Sequence, residues 1–329
     1  MAPRTVRVWS RLLLGALAAA FAVTAAAQAA FPSRPVRLVV PYPAGGGIDL
    51  LARGLAQQLS QRWGQPVVVE NKPGGGTLPA AQDVARAAPD GHVILMTSDS
   101  TLTINPHLYA KLPYDPVRDF APVTQLVFLH QMLLANTGVP AGNLAELVAF
   151  ARAKPGALAY GSYGNGSQPH LAMETLKAAT GIDVLHVPYK GIPQVLPALM
   201  GNEVQLTLSG AASGGPHLRA GRLKALAVGG TGRLPAFPEV PTFAEQGYPQ
   251  VPAQAWFGLV VPAATPRAAI DRIQQDARAV LTEPAFRERE VDAKGFALVA
   301  SSPAEFAAFM REDSVRNAQA VRLSGAKAD

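Results

Sequence analysis

Twice in this chain a β-rich run breaks into glycines and restarts at once as a helix, and this repeat limits the possible folds more than any other feature. The first copy runs Leu38-Val-Val-Pro-Tyr-Pro-Ala-Gly-Gly-Gly-Ile-Asp49. Apolar Ile48, Leu51, Ala52, Leu55, Leu59 and Trp63 follow the helical period, and Gly64 closes the helix. The second copy is a strand over Leu158–Ser162, a glycine loop over Gly161–Ser167 and a helix over Ser167–Thr180. Ser167 is placed to cap that helix, Pro169 sits in its first turn and Gly181 ends it. Glycines at such a junction let backbone N–H groups turn toward one point, where the helix start adds partial positive charge. Each unit is therefore a candidate cradle for a small anion; the alternative is a plain βα turn that binds nothing.

The intervening segments alternate in the same way. Pro66–Glu70 reads as a buried strand, Asn71–Thr77 as another glycine loop, Pro79–Ala88 as a helix and His92–Met96 as a strand. Such alternation implies an α/β protein with parallel strands and right-handed crossovers. The last of these strands opens into a hydroxyl-rich loop, Thr97–Thr101, at the ligand-binding end of the sheet. Ser98 and Ser100 are thus candidate pocket residues, or ordinary loop hydroxyls. Residues 105–122 are proline-punctuated, and Val123–Ala135 is a long β-like run that we read as a first crossing between two lobes. Asn143 with Glu146 begins the next helix. Beyond the second glycine unit come a strand Val184–Tyr189, a helix Pro193–Met200 and a strand Val204–Ser209. Ala211–Gly215 reads as a loop, a short helix begins at Leu218, and Leu223–Val228 is a strand. Residues 229–254 are loop-like, and Trp256–Val261 is the return crossing. Thr265-Pro266 and Ser302-Pro-Ala-Glu305 start the final helices, the latter as a capping box. Two similar lobes would set two N–H-rich cups face to face.

Other features bound the function. Arg4, Arg7 and Arg11 precede an apolar run, Leu12–Ala27, and Ala27-Gln-Ala29 fits a small-x-small cleavage site. Residues 1–29 are expected to be a signal peptide read by the general secretory route, since Arg-Arg is absent. Its removal would lower the formal charge from +6 to +3. With no cysteine the chain has no disulfide, thiol nucleophile or lipid-bearing cysteine, and it is expected not to be anchored to a membrane. Basic clusters interleaved with aromatics are missing, so nucleic acid is not an expected partner. The glycine runs fit neither G-x-G-x-x-G nor a P-loop, no G-x-S-x-G elbow occurs, and the six histidines show no metal-binding spacing. No cofactor and no metal are expected.

The residues resemble the periplasmic substrate-binding receptors of tripartite tricarboxylate transporters, the Bug family. The resemblance is carried by Pro43-Ala-Gly-Gly-Gly-Ile-Asp49, Glu70-Asn-Lys-Pro-Gly74, Asp119-Phe-Ala-Pro-Val123, Gly164-Asn-Gly-Ser-Gln-Pro-His-Leu171 and His186-Val-Pro-Tyr-Lys-Gly191, in that order along nearly the whole chain. It implies a two-lobed, Venus-flytrap periplasmic binding protein of type II, with a mainly parallel sheet in each lobe and a two-strand hinge. The lobes would comprise residues 30–127 with 254–329, and residues 128–253. It also implies a small carboxylate ligand and membrane transporter subunits as partners. Carried over position by position, the ligand contacts would be Tyr42, Ala44, Gly45, Gly46, Gly47 and Asp49 from one lobe, and Ser162, Gly164, Gly166, Ser167 and His170 from the other. Ser209 stands where family members often place an aspartate facing the cleft, which favours a ligand without an ammonium group.

Some of these residues have a second reading. Asp49 is comfortable at a helix start and could simply hold the loop. His170 could face the cleft or brace the loop through a backbone bond. The expected function is a monomeric, non-enzymatic receptor in the periplasm that binds a di- or tricarboxylate, an aromatic acid or a similar molecule. The alternative is an exported α/β enzyme acting on a small organic acid.

Overall fold

In the computed structural model, which describes residues 31–230 and 232–328, β1 (Val36–Val40) leads through Pro41 and Pro43 into the glycines. The helix α1 (Gly47–Trp63) starts at once and ends on Gly64, whose φ of 63° a glycine adopts freely. The expected signal peptide lies outside the described residues. The α1 residues Ile48, Leu51, Ala52, Leu55, Leu59 and Trp63 are all buried, and each large side chain removed from water contributes about 2 kcal/mol.

β2 (Val67–Asn71) pairs in parallel with β1 but is the sheet's outer edge, not the buried strand its valines suggest. Only Val67 is buried, and Val68 is 54% exposed. α2 (Leu78–Ala85) leads to β3 (Val93–Ser98), parallel to β1 on its other side. The expected hydroxyl-rich loop is not a loop. Thr97 and Ser98 belong to β3, and Ser100–Ile104 forms a helical turn running into α3 (Asn105–Leu108). Its hydroxyls are buried and bonded inside the protein, as with Thr101 Oγ1 to Thr77 Oγ1 at 2.9 Å, which is why a polar run behaves as core.

β4 (Phe120–Asn136) is the spine of the molecule. Then follow α4 (Leu144–Ala153), capped by Asn143 as expected, β5 (Ala159–Ser162), α5 (Gln168–Thr180), β6 (Leu185–Pro188) and α6 (Ile192–Met200). β7 (Leu206–Gly210) passes directly into α7 (Ala211–Arg219), and β8 (Leu223–Val228) follows. The stretch Ala211–Gly215, read from the sequence as a loop, is therefore the start of a helix. Tertiary packing overrides the poor helix propensity of its glycines: a Cβ on Gly214 would lie 2.6 Å from Leu134 Cδ1, and one on Gly215 3.0 Å from Phe237 Cζ. β9 (Gln254–Pro262), α8 (Arg267–Thr282), α9 (Pro284–Phe286), β10 (Phe296–Leu298) and α10 (Pro303–Ser324) complete the chain.

The strands run in the order β2-β1-β3-β9-β4-β7-β5-β6, with β8 and β10 also paired to β4. Up to His130, β4 pairs antiparallel with β9 and β10; from Gln131 it pairs antiparallel with β7 and β8. One strand thus serves two lobes. Each has three parallel strands, β2-β1-β3 in one and β6-β5-β7 in the other. The first lobe packs Val39, Leu95, Trp256, Val260 and Phe306 together. In the second, Leu147, Met173 and Leu176 belong to one apolar cluster, and Val195, Leu199 and Leu234 to another.

The two closing helices differ from one another at their starts. Thr265 does not cap α8: its hydroxyl donates to the Pro262 carbonyl, and the capping position is Pro266. The capping box of α10 is present, with Ser302 Oγ accepting from Glu305 N at 3.2 Å and Glu305 Oε2 accepting from Ser302 N at 2.8 Å. Replacing Ser302→Ala should therefore cost about 1 kcal/mol, measured as a lower urea midpoint with an unchanged slope.

Candidate functional site

Among the described residues, four helices begin at one cavity. Its lining includes Gly46, Gly47 and Ile48 at the start of α1, Gln168 at the start of α5, Gly191, Ile192 and Pro193 at the start of α6, and Gly210, Ala212 and Ser213 at the start of α7. No side chain caps any of these four helices. Their first N–H groups lack intrahelical partners, and their dipoles place partial positive charge at the same end. Each helix follows a β-strand or a loop from one, so the cavity sits at the carboxyl ends of parallel strands in both lobes.

The lobes approach closely here. A Cβ built on Gly46 would lie 3.6 Å from Ile192 Cγ2, one on Gly47 3.8 Å from the Ala212 Cβ, and one on Gly191 3.0 Å from Pro43 Cδ. The narrow cavity between them encloses about 60 Å³. Apolar Ile48, Leu129, Ala255 and Phe257 form part of its wall. Among the described residues that line it there is no lysine, arginine or histidine, and the sole acid is Asp99. A second, wider cavity of about 390 Å³ shares Tyr42, Ser100 and Tyr163 with the first. It is lined further by the Gly74–Thr77 and Gly164–Ser167 loops and by Lys190.

The expected site residues divide among these places. Tyr42, Gly46, Gly47, Ser100 and Ser209 line the narrow cavity. Gly164, Gly166 and Ser167 line the wide one with the Gly74–Thr77 loop, while Tyr163 of the same glycine loop lines both cavities. Ala44 and Gly45 are exposed beside it. Gly45 adopts a φ of 87°, which turns its N–H back toward Asp49 Oδ2 at 2.9 Å.

Ser98, Asp49, Ser162 and His170 line neither cavity. Ser98 is fully buried and shares a 2.9 Å bond with the Tyr42 hydroxyl, fixing that ring against the cavity. Asp49 is 1% exposed and holds the loop. Its carboxylate accepts from Gly45 N, Arg53 Nε and Asn71 Nδ2, each at 2.9 Å. Burial alone would raise its pKa, but the bonds from Arg53, Gly45 and Asn71 outweigh that and keep it below the usual carboxylate range.

His170 also takes the bracing role. Its Nδ1 accepts the Gly166 N–H at 2.9 Å, so Nδ1 carries no proton. The ring stacks on His186 at 4.1 Å, and His186 Nε2 is bonded to Ser162 Oγ at 2.6 Å. Burial depresses the pKa of both histidines, that of His186 to about 4, where the neighbouring His170 adds to the effect. Ser162 binds both the N–H and the carbonyl of Gly164 at 3.1 Å. Ser167 donates to the Gly164 carbonyl at 2.7 Å, so its hydroxyl tightens the loop instead of capping α5. Gly166 has a φ of 71° and lies against Leu108, where a Cβ would come within 1.8 Å of Cδ2.

Polar residues of the narrow cavity that were not singled out in the sequence include Asp99, Gln131 and Gln168. Asp99 is 4% exposed, and its Oδ1 accepts from Ser100 N at 2.7 Å. Burial, helped by the charge of Asp313, raises its pKa to about 8. Burial and Asp99 together push the Tyr42 hydroxyl to about 12. Gln131 lies on β4 at the change of lobe, and Gln168 opens α5. Single glutamines carry no sequence signal of this kind; only their burial beside the helix starts reveals them. Among the described residues no group of three or more metal-ligating side chains could hold a metal ion.

Residues 51–325 match the profile of a family described as "Tripartite tricarboxylate transporter family receptor". The chain is 34% identical over 298 residues to the protein BugT of Bordetella pertussis, covering 90% of this chain and 91% of that protein. Among solved structures, it is similar to an R. palustris protein solved with adipate, at 31% identity and a TM-score of 0.87, over 90% of this chain and 99% of that one. It is also similar to MatC from Rhodopseudomonas palustris with bound malate, at 30% identity and a TM-score of 0.83, over 88% of this chain and 100% of that one.

Proposed function

The chain belongs to the tripartite tricarboxylate transporter family of receptors, and from that premise we propose that it captures a small carboxylate in the narrow cavity and delivers it to a membrane transporter from the periplasm. The observation that carries this reading is the meeting of four uncapped helix starts around a cavity with no basic side chain. Each start supplies the equivalent of about half a positive charge. A micromolar ligand needs about −8 kcal/mol. Hydrogen bonds to a charged group contribute roughly 1.5–3 kcal/mol each, so four or five donors suffice after the cost of ordering. Dispersed dipoles also release an anion more readily than an arginine clamp, which suits a carrier. The adipate and malate complexes of the two relatives support the carboxylate class.

The lobes divide near residues 127–128 and 253–254, close to where β4 changes partners and where β9 begins. Hinge motion about these two crossings admits the ligand. The Gly45–Gly47 loop and the α6 and α7 starts close on the carboxylate, while the Gly164–Ser167 loop bounds the adjoining wide cavity. Residues 1–29 direct export, and no helix among the described residues is long and apolar enough to cross a membrane. The receptor acts as a monomer, without a cofactor and without transforming its ligand.

A thermal-shift panel of di- and tricarboxylates, hydroxy acids, aromatic acids and amino acids tests this. At least one acid should raise the melting temperature by several degrees and be recovered unchanged. Conversion of the stabilising acid into a product would overturn the receptor reading in favour of an enzyme.

A further inference from the structure

We propose that the ligand carries, besides its carboxylate, an uncharged hydrogen-bond donor, a hydroxyl or an amide N–H, which Gln168 and Gln131 recognise in the narrow cavity. The inference rests on the receptor reading above and specifies the substrate class of the same site.

Gln168 is 5% exposed, and neither Oε1 nor Nε2 has a hydrogen-bond partner within the chain. Gln131 is 1% exposed, and its Oε1 is likewise unpartnered. Both side chains line the narrow cavity. Buried amides are normally paired, because an unpaired one gives up its water without compensation. Here both residues that carry these unmet acceptors border the space assigned to the ligand.

Both tyrosines of the wall have partners inside the protein. The Tyr42 hydroxyl is bonded to Ser98, and the Tyr163 hydroxyl donates to the Leu208 carbonyl at 2.9 Å. The glutamines differ in carrying buried polar atoms without a partner.

The chemistry of that partner follows from what the cavity offers. Two amide oxygens require N–H or O–H donors. A second carboxylate would set its oxygens against them, with no lysine or arginine on the wall to offset the repulsion. A bare alkyl group would leave both oxygens unpaired. Gln168 Nε2 is a donor as well, so a group that both gives and accepts, such as a hydroxyl or a carboxamide, satisfies the whole side chain. Sites built to bond an O–H or N–H discriminate strongly against analogues that lack it.

Calorimetric titration of the purified full chain with two matched sets of acids tests the inference. One set is propionate, lactate and alanine; the other is hexanoate, its terminal hydroxy and amino derivatives, and adipamate. In at least one set the hydroxy or amide acid should bind tenfold or more tightly than its unsubstituted parent, and Gln168→Leu should narrow that gap to less than threefold. Hydroxy against amide acid identifies which donor is read. Equal binding of parent and donor-bearing acids, or tightest binding of the amino acids, overturns the inference while leaving the receptor reading in place. Absence of binding by every carboxylate overturns both. If Gln168→Leu does not fold, Gln131→Leu takes its place, and the wild-type comparison decides on its own.

Discussion

Gly46→Val should bind the ligand at least a hundredfold more weakly than the wild type while keeping its fold. The backbone at Gly46 has φ −78° and ψ 165°, a region that valine adopts without strain. A Cβ there makes ordinary contact with Ile192 Cγ2 at 3.6 Å. The capping position of α1 uses no side-chain bond, so the substitution costs the helix about 1 kcal/mol at most. Valine does, however, put three carbons into a cavity of about 60 Å³, directly over the α1 start. Losing two charge-assisted bonds removes roughly 3–6 kcal/mol, which is a hundredfold or more in affinity. Calorimetry measures the loss, and circular dichroism checks that the fold persists.

The second large effect is a fall in affinity at alkaline pH. Asp99 lines the cavity with a pKa raised to about 8. Below that value it is mostly protonated and tolerates an anion beside it. Above it, a buried carboxylate faces the bound one. Because the ligand prefers the protonated form, linkage requires affinity to fall as pH rises through 8, by roughly tenfold between pH 7 and 9. The ligand's own carboxylate stays ionised throughout, and Tyr42, pushed to about 12, does not titrate in this window. Burial also raises the pKa of Tyr163. Asp313, whose charge acts on Asp99, is held by Trp256 Nε1, Arg316 and Asn317. Asp99→Asn should flatten the profile between pH 7 and 9. A wild-type profile that is already flat would exclude Asp99 from the ligand's surroundings.

Much of this architecture was legible in the sequence, and the reasons for success and failure are specific. The α1 unit could be read because helical periodicity, a glycine-rich entry and a glycine stop all agree over Ile48–Gly64. The capping box at Ser302 is equally local. The edge position of β2 was not legible, because three valines look alike in a central and an outer strand. The start of α7 was hidden by Ser213, Gly214 and Gly215, residues that signal a turn but here make room for Leu134 and Phe237.

At the site, the first glycine loop was found by its composition. The bracing bonds of Asp49 to Gly45 and of His170 to Gly166 belong to the quieter of two readings and are visible only in the structure. Asp99, Gln131 and Gln168 come from three separate elements, and their convergence depends on tertiary structure alone.

The most direct test is the crystal structure of the complex with whichever acid of the thermal-shift panel stabilises the protein most. Its carboxylate should lie within hydrogen-bond distance of the backbone N–H groups that open α1 and α7, between the two lobes. A carboxylate held instead by Lys190 in the wide cavity, with the four helix starts contacting none of it, would contradict capture by helix dipoles.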